Sequence, residues 1–93
     1  MIIIAGYILT EDDKRDAAVA AFADMIGRAR THDGCLDLSI SADPVDPARI
    51  NLFECWRDQP SLNDWRKVAK GPRVKRLQTH VSMYRSVKPE KPH

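Results

Sequence analysis

Residues 2–9, IIIAGYIL, read as a β-strand: they are rich in β-branched and aromatic side chains and stop at Thr10. Alternation puts Ile2, Ile4 and Ile8 on one face and Ile3, Ala5, Tyr7 and Leu9 on the other, so both faces are apolar. Such a strand needs cover on both sides. The chain has 93 residues, enough for one hydrophobic core and one layer of helices. Two faces to cover with one short chain is the tightest constraint in the sequence.

The segments that follow alternate in period. Thr10-Glu11-Asp12-Asp13 opens a helix, with Thr10 as N-cap and three acids at the positive end of the helix dipole. Ala18, Phe22, Met25, Ile26 and Ala29 share one face of it, and Asp33-Gly34 stops it. Cys35 to Ser41 alternates as a second strand, with Leu36, Leu38 and Ile40 on one side. The connection ADPVDPA is a loop rather than a tight turn. Ile50 to Trp56 is a third strand, with Ile50, Leu52, Glu54 and Trp56 on one face. Asp58 caps a second helix with Pro60 in its first turn; Leu62, Trp65 and Ala69 form its inward stripe, and Gly71-Pro72 ends it. A short further helical piece is expected over Arg73 to Thr79, with Val74 and Leu77 inward, and a fourth strand over Val81 to Val87.

The order β-α-β-β-α-β implies an α+β, ferredoxin-like domain: one four-stranded antiparallel sheet with helices on one face. The other face is left for a second copy packing sheet against sheet, so a homodimer is expected. Residues 1–88 read as this single domain and 89–93 as a flexible tail.

Composition narrows the function classes. A net charge of +2 gives no reason to expect nucleic-acid binding. No apolar run approaches the about 18–20 residues of a membrane span. The stretch MIIIAGYILT lacks the basic start and cleavage site of a secretory signal. Two cysteines make no disulfide framework, and a reduced, cytoplasmic protein is expected. His32, His80 and His93 have no metal-ligand spacing with each other or with the cysteines, and no glycine-rich nucleotide or flavin fingerprint occurs; neither metal nor cofactor is expected.

Four residues stand out as candidates for chemistry. Trp56 and Trp65 flank the strand-to-helix turn in FECWRDQPSLNDW, either as core filling or as walls of a flat aromatic pocket. Glu54 is a carboxylate on a face shared with Ile50, Leu52 and Trp56; it suits a general base or a partner for an arginine across a dimer. Six cations and no acid lie between Arg66 and Arg76, as a solvated face or, with Arg76 first, as a pocket mouth that attracts an anion. Cys35 and Cys55 are placed as cross-strand neighbours, in a register that sets Leu38 against Leu52 and Ile40 against Ile50, and read as small apolar fillers or a redox pair.

The segments ARTHDGCLDLSIS and INLFECWRDQPSLNDW resemble the antibiotic biosynthesis monooxygenase-like domains of the dimeric α+β-barrel superfamily. The matching features are Ala29-Arg30, Gly34-Cys35, Glu54-x-Trp56 and an aromatic residue, Trp65, nine positions after that tryptophan. The resemblance spans about residues 2–88 and implies a barrel-forming dimer with a small-molecule pocket between sheet and helices. Several features of the known chemistries are missing. Many relatives carry His at the position of Trp65. The haem-degrading relatives need an Asn on the first strand and a His after the tryptophan helix, where this chain reads IIIAGYIL and GPRVKRLQ, with His80 two residues too late. The anthrone-oxidising relatives use a Tyr where Leu62 stands and an Asn one residue from Asn51, while Trp56 and Arg76 correspond to their tryptophan and arginine.

The resemblance implies a cofactor-independent monooxygenase that oxidises an electron-rich phenol, anthrone or quinol. Trp65 and Trp56 would be walls, Arg76 the anion stabiliser and Glu54 or a water the base. A non-catalytic dimer that binds a small aromatic ligand is the alternative, with haem degradation third.

Overall fold

The computed structural model describes residues 1–93. Its elements are β1 (Ile2–Leu9), a 3₁₀ turn (Asp12–Lys14), α1 (Arg15–Ala21), α2 (Ala23–Arg30), β2 (Cys35–Ala42), β3 (Arg49–Trp56), α3 (Gln59–Val68) and β4 (Gln78–Tyr84). The strands form one antiparallel sheet in the order β2-β3-β1-β4, with α1, α2 and α3 on one face. This is the ferredoxin-like α+β fold expected from the order of elements. The molecule is a slab of 37 × 34 × 19 Å, two layers thick. No helix is long and apolar enough to cross a membrane.

The register explains the core. Ile2 pairs with Trp56, Ile4 with Glu54 and Ile8 with Ile50, so the helix-facing rows of β1 and β3 are the ones expected from alternation. Ile2, Ile4, Leu38, Trp56, Leu62 and Trp65 form the core with Ala29. In β2 the expected row breaks. A bulge sets Cys35 opposite Trp56 and Asp37 opposite Cys55, which leaves Leu36 as the extra residue, 57% exposed. Beyond it Leu38 faces Glu54 and Ile40 faces Leu52, two residues from the expected register. Cys35 therefore packs on the helix side while Cys55 lies on the other, so the two are not a cross-strand pair. Desolvation raises both thiols above their ordinary range, which suits inert fillers.

The first helical segment starts later than its sequence suggests. Thr10 does not cap it: Thr10 is buried with its N–H donating to the Ala48 carbonyl at 2.9 Å, and the 3₁₀ turn precedes α1. The backbone relaxes at Phe22 (φ −79°, ψ −10°), separating α1 from α2 where that ring enters the core. Arg15 reaches across to the Asp43, Asp46 and Arg49 carbonyls at 2.9–3.2 Å and so holds the loop between β2 and β3.

The expected helical piece over Arg73 to Thr79 does not form. Residues 69–77 run as irregular chain, Leu77 is 55% exposed, and β4 begins at Gln78 and ends at Tyr84, earlier than expected. Gly71-Pro72 stops a helix from restarting. The Leu77 N–H joins the Leu9 carbonyl at 2.8 Å and draws the chain into strand pairing. At Gly6 (φ +151°) a Cβ would lie 2.0 Å from the His80 carbonyl oxygen, so the β1–β4 approach there needs glycine.

The β3–α3 turn is fastened at both ends. Asp58 caps α3, accepting from the Ser61 N–H at 2.9 Å. Arg57 forks onto Asp33 at 3.0 and 3.1 Å, donates to Ser61 Oγ at 3.0 Å, and its own N–H meets the Gly34 carbonyl at 2.8 Å. Gly34 (φ +84°) packs so tightly on Ser61 that a Cβ would sit 2.1 Å from its Oγ. The Ser61 hydroxyl and N–H, with Arg57 beside them, hold the Asp58 carboxyl down at about 2.

Two expectations follow. Leu62→Ala, at a site with no exposed surface, should cost about 2–5 kcal/mol in denaturant unfolding, whereas Leu77→Ala should stay within about 0.5 kcal/mol. Since the folded Asp58 value lies below the ordinary carboxylate value near 3.8, its contribution is fully present above that pH and is lost as pH falls towards about 2. Asp58→Ala should therefore lower the unfolding midpoint at pH 7 and flatten the acid dependence between those values. An unchanged acid limb would remove Asp58 from it.

Candidate functional site

A cavity of about 370 Å³ opens between the sheet and the helices. Its floor comes from the helix-facing rows of β1, β2 and β3, including Ile8, Ile40 and Leu52. Phe22 and Met25 close one side from the α1–α2 junction, and Trp65 and Ala69 another. Gly71, Pro72 and Arg76 complete the rim from the irregular segment. That segment runs close to the helical layer, since a Cβ on Gly71 would lie 2.9 Å from Met25 Sδ.

Glu54 is the cavity's one carboxylate. β3 presents it between Ile4 and Leu38, half-buried among aliphatic neighbours. The Trp56 indole N–H donates to its Oε1 at 3.1 Å. Trp56 itself has no exposed surface and lies behind Glu54, off the cavity lining. Its ring stacks on Trp65, with centroids 6.1 Å apart and planes at 26°. Trp65 thus shows the cavity a ring that Trp56 backs.

Further contacts hold this pair. His32, in the turn before Gly34, sets its ring edge-on to Trp65 at 5.5 Å and to Trp56 at 6.2 Å. The Arg28 guanidinium stands 5.7 Å from the Trp65 ring centroid and donates to the Val68 and Ala69 carbonyls at 3.1 and 2.7 Å. It satisfies carbonyls at the C-terminal end of α3 while fixing the rim of the cavity.

Of the four residues singled out from sequence, Glu54, Trp65 and Arg76 meet at one cavity, and Trp56 is joined to it through Glu54. Arg66 is also on the lining. Arg66 and Arg76 take part in no ion pair, while Lys67 and Lys75 nearby have Asp64 at 3.7 Å and Glu11 at 2.9 Å. Asn51 lies on the opposite face, bonded to Arg49 and Asp43. Leu62 is core and does not line the cavity. His80 also lies on the opposite face, stacked on Tyr7 at 4.8 Å, so it is no histidine for this site. No cluster of His, Cys, Asp and Glu is arranged to hold a metal ion.

Nothing in the order of residues places His32 or Arg28 beside the tryptophans. Both lie some 25 to 40 positions from the residues they touch, and no local pattern links them.

Comparison with known proteins places this arrangement. A protein from Nitrosomonas europaea, named a "putative antibiotic biosynthesis monooxygenase", superimposes with a TM-score of 0.70 at 19% identity, over 90% of this chain and 96% of its own. A Shewanella oneidensis protein superimposes with a TM-score of 0.71 at 21% identity, over 89% and 87%. At such identities the likeness is one of fold. An uncharacterized protein from Synechocystis sp. is 29% identical over 62 residues, which are 67% of this chain and 42% of that relative. The chain thus spans less than half the length of that curated relative. The family model described as antibiotic biosynthesis monooxygenase matches residues 1–76, which include β1 to α3, Glu54, both tryptophans and Arg76. The chain belongs to the antibiotic biosynthesis monooxygenase family.

Proposed function

We propose that the protein is a monooxygenase that oxidises an electron-rich phenol, anthrone or quinol with O₂, without a metal or organic cofactor, in the cavity between sheet and helices. The observation that carries this reading is Glu54: a lone carboxylate in a largely apolar cavity, held by the Trp56 N–H and flanked by the Trp65 ring. A carboxylate so placed can take the acidic proton of a substrate lying on Trp65. The resulting anion is stabilised by Arg76 and passes an electron to O₂. Recombination of the substrate radical with superoxide, with a proton, gives a hydroperoxide at carbon. Loss of water from it leaves a carbonyl, so an anthrone CH₂ and O₂ become C=O and H₂O, with all electrons supplied by the substrate.

The reading includes a homodimer. The sheet face away from the helices carries Ile3, Tyr7, Leu9, Phe53 and Tyr84, and no helix of the chain packs on it. Phe53 and Tyr84 are 36% and 54% exposed there. A second copy packed on this face would bury it and add a third and fourth layer.

A binding protein without catalysis is the second reading. It is favoured by the absence of any tyrosine or histidine from the cavity lining, which leaves Glu54 as the one side chain there that could take a proton from a ligand.

Oxygen uptake by chelator-treated protein with anthrones and hydroquinones separates the two. Turnover is expected, and Glu54→Gln should lower it about 10²–10⁴-fold. Ligand binding with no uptake across the panel would favour the binding protein. In light scattering, the expected mass is twice the 10.5 kDa chain, and Phe53→Glu should shift it towards the monomer. A monomer for the unaltered chain at micromolar concentration would overturn the dimer.

A further inference from the structure

We infer that the cavity takes a planar aromatic acid, with its ring on Trp65 and its carboxylate between Arg66 and Arg76. The inference rests on reading this cavity as the substrate site. Arg66 comes from α3 and Arg76 from the segment after it, while Glu54 rises from the sheet. The charges of the cavity are thus divided, cations on the helix and rim side and the carboxylate on the floor.

Four arginines take part in no ion pair, Arg66, Arg73, Arg76 and Arg85, and of these Arg66 and Arg76 are the two that line the cavity. Arg15, Arg28, Arg30, Arg49 and Arg57 each sit within reach of an aspartate. Arg66 and Arg76 do not, although both line a cavity whose other walls are mostly apolar. Of the six cations from Arg66 to Arg76, Lys67 and Lys75 are paired with acids, and the four left without a partner favour an anion over a neutral molecule at the rim. Guanidinium groups present a planar fork that matches a carboxylate.

Glu54 sets the orientation. It would repel an acid group on the floor, so the carboxylate is driven to the arginines and the far edge of the ring is turned to Glu54. The apolar part of the floor, from Ile40 and Leu52, receives the ring body.

Calorimetric titration with naphthalene-2-carboxylate and naphthalene-2-carboxamide tests this. The two probes share a ring and differ in charge. The carboxylate is expected to bind about tenfold tighter or more, the scale of one hydrogen bond to a charged group. In the Arg66→Gln/Arg76→Gln double variant, whose altered side chains are exposed, the difference should shrink to about twofold or less. Lys67→Gln, at an exposed residue off the cavity lining, should keep it. Equal affinities in the unaltered protein, no binding of either probe, or a difference that survives the double variant would each overturn the inference. The oxygenase reading fails differently: a full carboxylate preference that the arginine variants abolish, with no oxygen uptake from any phenol or quinol, upholds the acid site and removes the chemistry.

Discussion

Two stacked indoles hold α3 off the sheet. Trp56 rises from the end of β3 and Trp65 comes down from α3, and their contact at 6.1 Å is the spacer between the two layers at that end of the molecule. Around it the chain uses four devices: the Asp58 cap, the Arg57 fork, the His32 edge and the Arg28 bridge to the last carbonyls of α3. Each is modest alone, and the ion pair of Arg57 is half exposed. Together they fix the helix at a height that leaves a cavity where the spacer ends and smaller side chains begin.

The same stack positions the cavity's one carboxylate. An indole buried as fully as Trp56 must place its N–H, and here the acceptor is Glu54. The hydrogen bond satisfies the ring and orients the carboxylate with one stroke. A carboxylate on an aliphatic floor otherwise lacks partners and would turn to solvent. The packing of the indole and the placing of the carboxylate therefore rest on one pair of residues, two positions apart on one strand face.

Much of this was legible from residue order. The apolar row of β1, the Asp58 cap, the Leu62–Trp65 stripe and the shared face of Glu54 and Trp56 all follow from periodicity and capping chemistry, and all stand in the structure. The failures have particular causes. Cys35 already pairs one residue beyond the expected Cys55, and one extra residue in β2 moves every later pair by one more; alternation alone cannot show a bulge that forms only against β3. Residues 73–79 have a helical spacing of Val74 and Leu77, but backbone pairing with β1 outweighs it and draws the chain into β4. The cavity's two free arginines stood within a basic run, yet only the path of residues 69–77 decides which cations reach the rim.

The most direct test of oxygenase chemistry at this cavity is isotopic. An anthrone would be turned over under ¹⁸O₂ in ordinary water by chelator-treated protein, and the product read by mass spectrometry. The expected result is a single labelled oxygen per product molecule, with its formation suppressed when Glu54 is replaced by Gln. Unlabelled product, or labelling that Glu54→Gln leaves untouched, would contradict a reaction with O₂ at the carboxylate that Trp56 holds.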